Sequence, residues 1–269
     1  DDDTTYWRGG TRMVGIQVQN EVNSAARPLT TNVLICNNTV AGCRHGLAQM
    51  SGKAGTYPFE NILWCNNTVV EQRNLNLYDG AVRDWPKGIQ VADGGTYINI
   101  RFHNNIIAQE GGGGSVFNDT VTAGTTFSHN SWSSLPGGDA SATGDIICTA
   151  GLVSPVSVAT PGSYLLSNYR KMSTSQVRQK GINMDTVINT YYANSLADPF
   201  FQYAWRYDRD GNIRSTTPDM GMDEYGGGVE PPPPPPPGSG SVLLGMGRIE
   251  PPNDTTAAEI GRASSWERV

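Results

Sequence analysis

Charge is scarce in this chain. Only 16% of its 269 residues are charged, and the formal net charge of −6 comes without a basic cluster, so the electrostatic footprint of a nucleic-acid-binding surface is missing. Long apolar runs are missing too: no stretch approaches the roughly 20 residues that a membrane-spanning helix needs. Helical patterning is confined to two short stretches, about 165–176 and 255–268. The four cysteines, Cys36, Cys43, Cys65 and Cys148, are too few for a disulfide framework and stand at no Cys-x-x-Cys metal spacing. The sequence opens on Asp1-Asp2-Asp3 with no signal-peptide pattern, as expected of a chain whose leader has been removed or of a piece of something longer.

Glycine, at 32 residues, is plentiful, which suits an all-β fold with many turns because glycine punctuates turns and weakens helices. A repeat organises the rest. Asn32-Val-Leu-Ile-Cys-Asn-Asn-Thr-Val40, Asn61-Ile-Leu-Trp-Cys-Asn-Asn-Thr-Val69, Asn99-Ile-Arg-Phe-His-Asn-Asn-Ile-Ile107 and Thr125-Thr-Phe-Ser-His-Asn-Ser-Trp132 match one another. Cys36, Cys65, His103 and His129 fall at intervals of 29, 38 and 26 residues. A shorter element, Gly15-Ile-Gln-Val18, Gly46-Leu-Ala-Gln49 or Gly88-Ile-Gln-Val91, precedes each of the first three. Fixed order with variable spacing is the signature of a solenoid whose loops vary and whose strands do not.

Alternation puts Val33 and Ile35, Ile62 and Trp64, and Ile100 and Phe102 on one buried side. Continued parity turns Asn37, Asn66, Asn104 and Asn130 inward at a bend. Stacked at the ~4.8 Å rung spacing, such amides bond to one another and form a ladder. The expectation is a parallel β-helix with irregular coils over 1–227. A stiff Gly/Pro-rich spacer follows over 228–240, with an unbroken proline run from Pro231 to Pro237. Residues 241–269 are expected to be an incomplete tail, partly artefactual around Ile260-Gly-Arg-Ala-Ser264.

On these repeats, and on Tyr164-Leu-Leu-Ser167, Ser175–Gly181, Asp208–Arg214 and Thr217–Tyr225 near the end, the chain resembles the right-handed parallel β-helix repeat proteins. That group includes pectate-lyase-like and chondroitinase-like enzymes and many bacterial surface proteins. The resemblance spans about 12–227 and implies a right-handed, extracellular or cell-surface solenoid. It implies no particular activity.

Four chemistries have some footing in the residues. The column Cys36, Cys65, His103, His129 imitates a zinc set, but residues stacked at ~4.8 Å per rung cannot all reach one ion at 2.0–2.3 Å, so no metal site is expected. Glycoside hydrolysis needs two carboxyl groups, and the outward positions Leu34, Leu63, Arg101, Gln17 and Gln90 supply none. Lyase chemistry needs a base and a cation facing a uronate. The loop 71–87 gathers Arg73, Tyr78, Asp79, Arg83, Asp84, Trp85 and Lys87. Of these Arg83, Asp84 and Lys87, together with Arg101, are candidate catalytic residues, and Arg73, Tyr78 and Trp85 candidate sugar-binding residues. Asp208-Arg-Asp-Gly-Asn212 echoes a calcium loop without the acidic residue at its twelfth position. It reads better as a tight turn, with Arg214 pairing to Asp219; calcium remains the only cofactor with any signal. Sequons at Asn37 and Asn66 coincide with the expected ladder and are read as coincidental. Two functions therefore stand open: polysaccharide binding or processing, lyase-like if catalytic, and a non-catalytic scaffold that self-associates end to end.

Overall fold

A computed structural model describes residues 14–20, 30–41, 43, 45–51, 59–70, 87–91, 96–109, 115–117, 123–137, 140–153, 166–193, 195–196 and 199–225. The chain is mainly β, built from parallel sheets with few helices. The first sheet orders its strands β1 (Val14–Asn20), β4 (His45–Ser51), β7 (Lys87–Val91) and β10 (Ser115–Phe117). The second orders β2 (Thr30–Cys36), β5 (Phe59–Cys65), β8 (Tyr97–His103) and β11 (Thr125–Ser128). The third runs β3 (Thr39–Ala41), β6 (Thr68–Val70), β9 (Ile106–Ala108), β12 (Ser131–Trp132) and β13 (Ile146–Ile147). From β1 to β12 the chain visits the three sheets in strict rotation, and each strand pairs in parallel with its counterpart from the turn before.

The register stacks like on like. Ile35, Trp64, Phe102 and Phe127 are successive partners in the second sheet. Trp64 lies over Phe102 at 5.6 Å and Phe102 over Phe127 at 4.8 Å, with the rings close to parallel in both pairs. With Leu47, Ile89 and Phe117 from the first sheet and Val69, Ile107 and Trp132 from the third, they form one apolar core. The glycine column beside it is steric. A Cβ on Gly46 would stand 2.3 Å from Val69 Cγ1 and 2.5 Å from the Gly88 carbonyl oxygen, so no other residue lets that corner close.

Two columns of left-handed residues explain the repeated asparagines. Asn32, Asn61, Asn99 and Gly124 have φ of 58°, 54°, 55° and 86°, and Asn37, Asn66, Asn104 and His129 have φ of 57°, 55°, 56° and 53°. Asparagine and glycine tolerate this region where most side chains do not. The second column corrects the ladder expected from parity. A positive φ at Asn37, Asn66 and Asn104 interrupts the alternation, so the next residue turns inward. The internal ladder is therefore Asn38, Asn67, Asn105 and Asn130, each amide bonded to the next. The fourth repeat also shifts by one: the partner of Cys36, Cys65 and His103 is Ser128, and His129 falls in the next column.

After β13 the chain folds back along the outside. Helix α1 (Met184–Tyr191) begins at Asn183, whose side chain caps the Asp185 amide at 2.8 Å. Helix α2 (Pro199–Arg206) starts on proline, which suits a first turn because its missing N–H has no helical partner there. Met184, Val187, Ile188, Ala204 and Trp205 pack on Leu34, Cys36, Leu63 and Cys65 of the second sheet. Tyr169, Val177, Met220 and Met222 pack on Val70, Ile106 and Ala108 of the third.

Candidate functional site

Of the residues that sequence reasoning gathered into one groove, the two described ones, Lys87 and Arg101, lie on different sheets. Arg73, Tyr78, Asp79, Arg83, Asp84 and Trp85 lie outside the described residues. Lys87 opens β7 on the first sheet, in register with His45. Arg101 sits on the outer side of β8 in the second sheet, and that side is closed by α1. Its guanidinium carbon lies 3.3 Å from the centroid of the Tyr191 ring, and its Nε donates to Asn99 Oδ1 at 2.9 Å. Arg101 is thus engaged by the fold itself.

That bond ends a second, external ladder. Asn99 Nδ2 donates to Asn61 Oδ1 at 2.9 Å, and Asn61 Nδ2 to Asn32 Oδ1 at 3.3 Å. Gly124 occupies the position after Asn99 and has no amide to offer, so Arg101 fills that acceptor. The internal ladder ends differently. Asp145 holds the fifth rung, as the pairing of Ile146 with Ser131 requires. Its Oδ1 accepts the Asn130 amide at 2.7 Å, and its Oδ2 accepts Trp132 Nε1 at 2.9 Å and the Ala142 amide at 3.1 Å.

Among the described residues, the densest group of ionisable side chains lies where the C-terminal segment meets the corner between the second and third sheets. Lys171, fully buried, pairs with Asp223 at 2.8 Å and approaches Asp219 at 3.8 Å. Arg214 pairs with Glu224 at 3.3 Å and donates to Asn37 Oδ1 at 2.7 Å. Glu224, not the expected Asp219, is its carboxylate partner; Asp219 gives Arg214 only its backbone carbonyl. Asp208 uses both carboxylate oxygens on the amides of Asp210, Asn212 and Glu224 and the side chain of Asn212, the geometry of a tight turn. Burial pushes the Glu224 carboxyl up to about 7, opposed by Arg214 and reinforced by Asp219.

Within this junction Asn66 is fully buried, yet neither atom of its amide has a partner among the described residues. Asn37 on one side bonds to Ala204 and Tyr207, and Asn104 on the other to Ile182. Burial and the nearby Arg101 lower His103 to about 4, so it is neutral at pH 7. Cys36 and Cys65 are free thiols in register, and burial raises Cys65 well above its ordinary value. The neutral His103 imidazole, the protonated Cys65 thiol and paired carboxylates line this junction, and none of these described groups is poised as a nucleophile with its base. No group of three metal-binding side chains occurs among the described residues.

Among the described residues, none of the first sheet belongs to either outer cluster, although Ala48 on its outer side is fully buried. Gln17 and Gln90 flank Ala48 in register there and point away from the core residues Leu47, Ile89 and Val91 beside them. Lys87, where the charged loop ends, lies on the same sheet. Sequence reasoning recorded both glutamines as outward but gave them no role. The signal was available in the recurring Gly-Ile-Gln-Val, whose only polar side chain faces out.

No family model, curated protein or solved structure matches this chain. No helix among the described residues is long and apolar enough to cross a membrane.

Proposed function

We propose that the three parallel sheets are the faces of a right-handed β-helix and that the chain is an extracellular or cell-surface module that binds polysaccharide along its first sheet. The observation that carries this reading is the distribution of cover. The second and third sheets are packed under the C-terminal segment, whereas the first keeps an amide-bearing outer column and is reached by the charged loop through Lys87. Amide side chains both donate to and accept from sugar hydroxyls. Trp85 or Tyr78 of the loop would offer a flat face to a ring, and Arg73, Arg83 and Lys87 would pair with uronate carboxylates.

Binding, rather than turnover, is the better-supported half. The buried charges of the described residues are paired within the fold, which favours a non-catalytic role. Lyase-like elimination would have to come from Arg83, Asp84 and Lys87. A panel of neutral and uronate-containing polysaccharides tests both, with binding read by calorimetry and elimination by absorbance of unsaturated products. Binding weakened by Gln17→Ala, Gln90→Ala and Trp85→Ala supports the reading. Absence of binding across the panel, or binding indifferent to all three, replaces it with the scaffold.

A further inference from the structure

Two thiols meet beneath the C-terminal cover. Cys36 and Cys65 close β2 and β5, pair in register in the second sheet, and lie in the layer under α1 and α2 with Leu34, Leu63, Met184 and Trp205. Both are free and buried, Cys36 at 5% exposure and Cys65 at 0%. The Cys65 thiol donates to Cys36 Sγ, and the Cys36 thiol donates onward to the Ala204 carbonyl at 3.4 Å. Strands of one sheet lie about 4.8 Å apart, inside the roughly 4.4–6.8 Å between Cα atoms that a disulfide spans. Cβ atoms stacked at that spacing stand just beyond the ~4.5 Å limit, so closure asks for a small shift and gives a bond that is readily reduced. The other two cysteines lie in different layers, Cys43 against the inner core and Cys148 against the outer cluster of the third sheet.

We propose that Cys36 and Cys65 form a reversible disulfide between neighbouring strands of the second sheet, made by exchange with a low-molecular-weight disulfide. The less buried sulfur reacts first. When α2 lifts, the Cys36 thiolate attacks the small disulfide, forms a mixed bond and releases one thiol. The Cys65 thiolate then attacks Cys36 Sγ and expels the second. Two protons and two electrons leave the pair, and the reagent is reduced to two thiols. The Arg214 charge eases ionisation of Cys65 against the burial that opposes it. The product fits beneath the cover. Cys36 gives up its bond to Ala204, but that carbonyl keeps Asn37 Nδ2 at 2.7 Å, so α2 docks on the oxidised pair as it does on the reduced one. The proposal is independent of what the first sheet binds.

The test counts thiols on the full chain in a buffer of oxidised and reduced glutathione, approached both from native protein and from protein refolded out of urea. Samples quenched with acid are unfolded, alkylated and weighed. Two of the four cysteines should escape alkylation, with a mass lower by two hydrogens and a proteolytic fragment joining Cys36 to Cys65. Dithiothreitol should restore all four. Cys36→Ser and Cys65→Ser should each abolish the link, and amide exchange in α2 should be the same in oxidised and reduced protein. Four results would each overturn the proposal: four alkylated cysteines by both routes, a bond between any other pair, a glutathione adduct on Cys36 that Cys65 leaves unresolved, or protection of α2 lost on oxidation.

Discussion

Replacing Asn105 by alanine should cost about twice what the same change costs at Asn38, and the difference can be worked from the bonds each amide makes. The Asn105 side chain accepts the Asn67 backbone amide at 3.0 Å and the Asn67 Nδ2 at 2.9 Å, and donates to the Trp64 carbonyl and to Asn130 Oδ1, both at 3.0 Å. Two of these partners keep an alternative. Asn67 Nδ2 still reaches the Ile35 carbonyl, and Asn130 Oδ1 still accepts the Asn105 backbone amide. The Asn67 N–H keeps none, whereas the Trp64 carbonyl still lies within the parallel pairing of β5 with β8. Four side-chain bonds are lost, and at roughly 1 kcal/mol net for each the loss is about 4 kcal/mol. At Asn38 only two are lost, to the Cys36 carbonyl and to Asn67 Oδ1, which keeps the Asn38 backbone amide, so the loss is about 2 kcal/mol. Urea unfolding followed by far-ultraviolet circular dichroism reads this as a shift in midpoint at constant slope. Equal losses at the two positions, or an Asn66→Ala loss as large as that of Asn105→Ala, would refute the reasoning.

Glu224 makes stability pH-dependent. Its carboxyl is raised from 4.5 to about 7 in the fold, so the folded state binds the proton more tightly, and the associated stability is full below pH 4.5 and lost as pH rises to about 7. Glu224→Gln should remove up to about 3 kcal/mol of that fall, seen as a flatter difference curve between variant and parent across pH 4–8; an unchanged slope counts against it. Arg101→Met should destabilise by about 1–2 kcal/mol through the lost Tyr191 stack and the bared Asn99 acceptor while leaving polysaccharide affinity unchanged. A selective loss of binding would return Arg101 to the site. Asn66→Gly, which keeps the left-handed turn and removes an amide without a partner among the described residues, should cost less than Asn66→Leu, which strains that turn; thermal midpoints decide the order.

Much of the architecture was legible. Strand alternation put Ile35, Trp64 and Phe102 on one inner column, and the fixed order of the two repeated elements gave the rotation between sheets. Parity failed at one place only, the left-handed residue at Asn37, Asn66 and Asn104, because sequence alternation carries no record of a reversed φ. The fourth repeat misled because His129 looks like His103, whereas the register is set by Phe127 and Phe102. The candidate groove was less legible. Arg101 reads from sequence as an exposed cation, and only the return of α1, more than eighty residues later, shows Tyr191 lying on it. Asp145 gave no signal at all, since its place in the ladder depends on the pairing of β13 with β12.

The passages between the three sheets differ in what they permit. Passage from the second sheet to the third takes two residues each time, as at Asn37–Asn38, Asn66–Asn67 and Asn104–Asn105, and the second of each pair bonds through its side chain to the next turn. Passage from the third sheet to the first is unconstrained in length, from the short step between Ala41 and His45 to the long one between Val70 and Lys87. Lineages that diverge from such a chain can therefore lengthen, shorten or exchange loops at that corner with no disturbance to rung spacing, while a single insertion at the tight corner would throw every later column out of line. Variation in loop length is channelled to that one passage, and engineered insertions belong there.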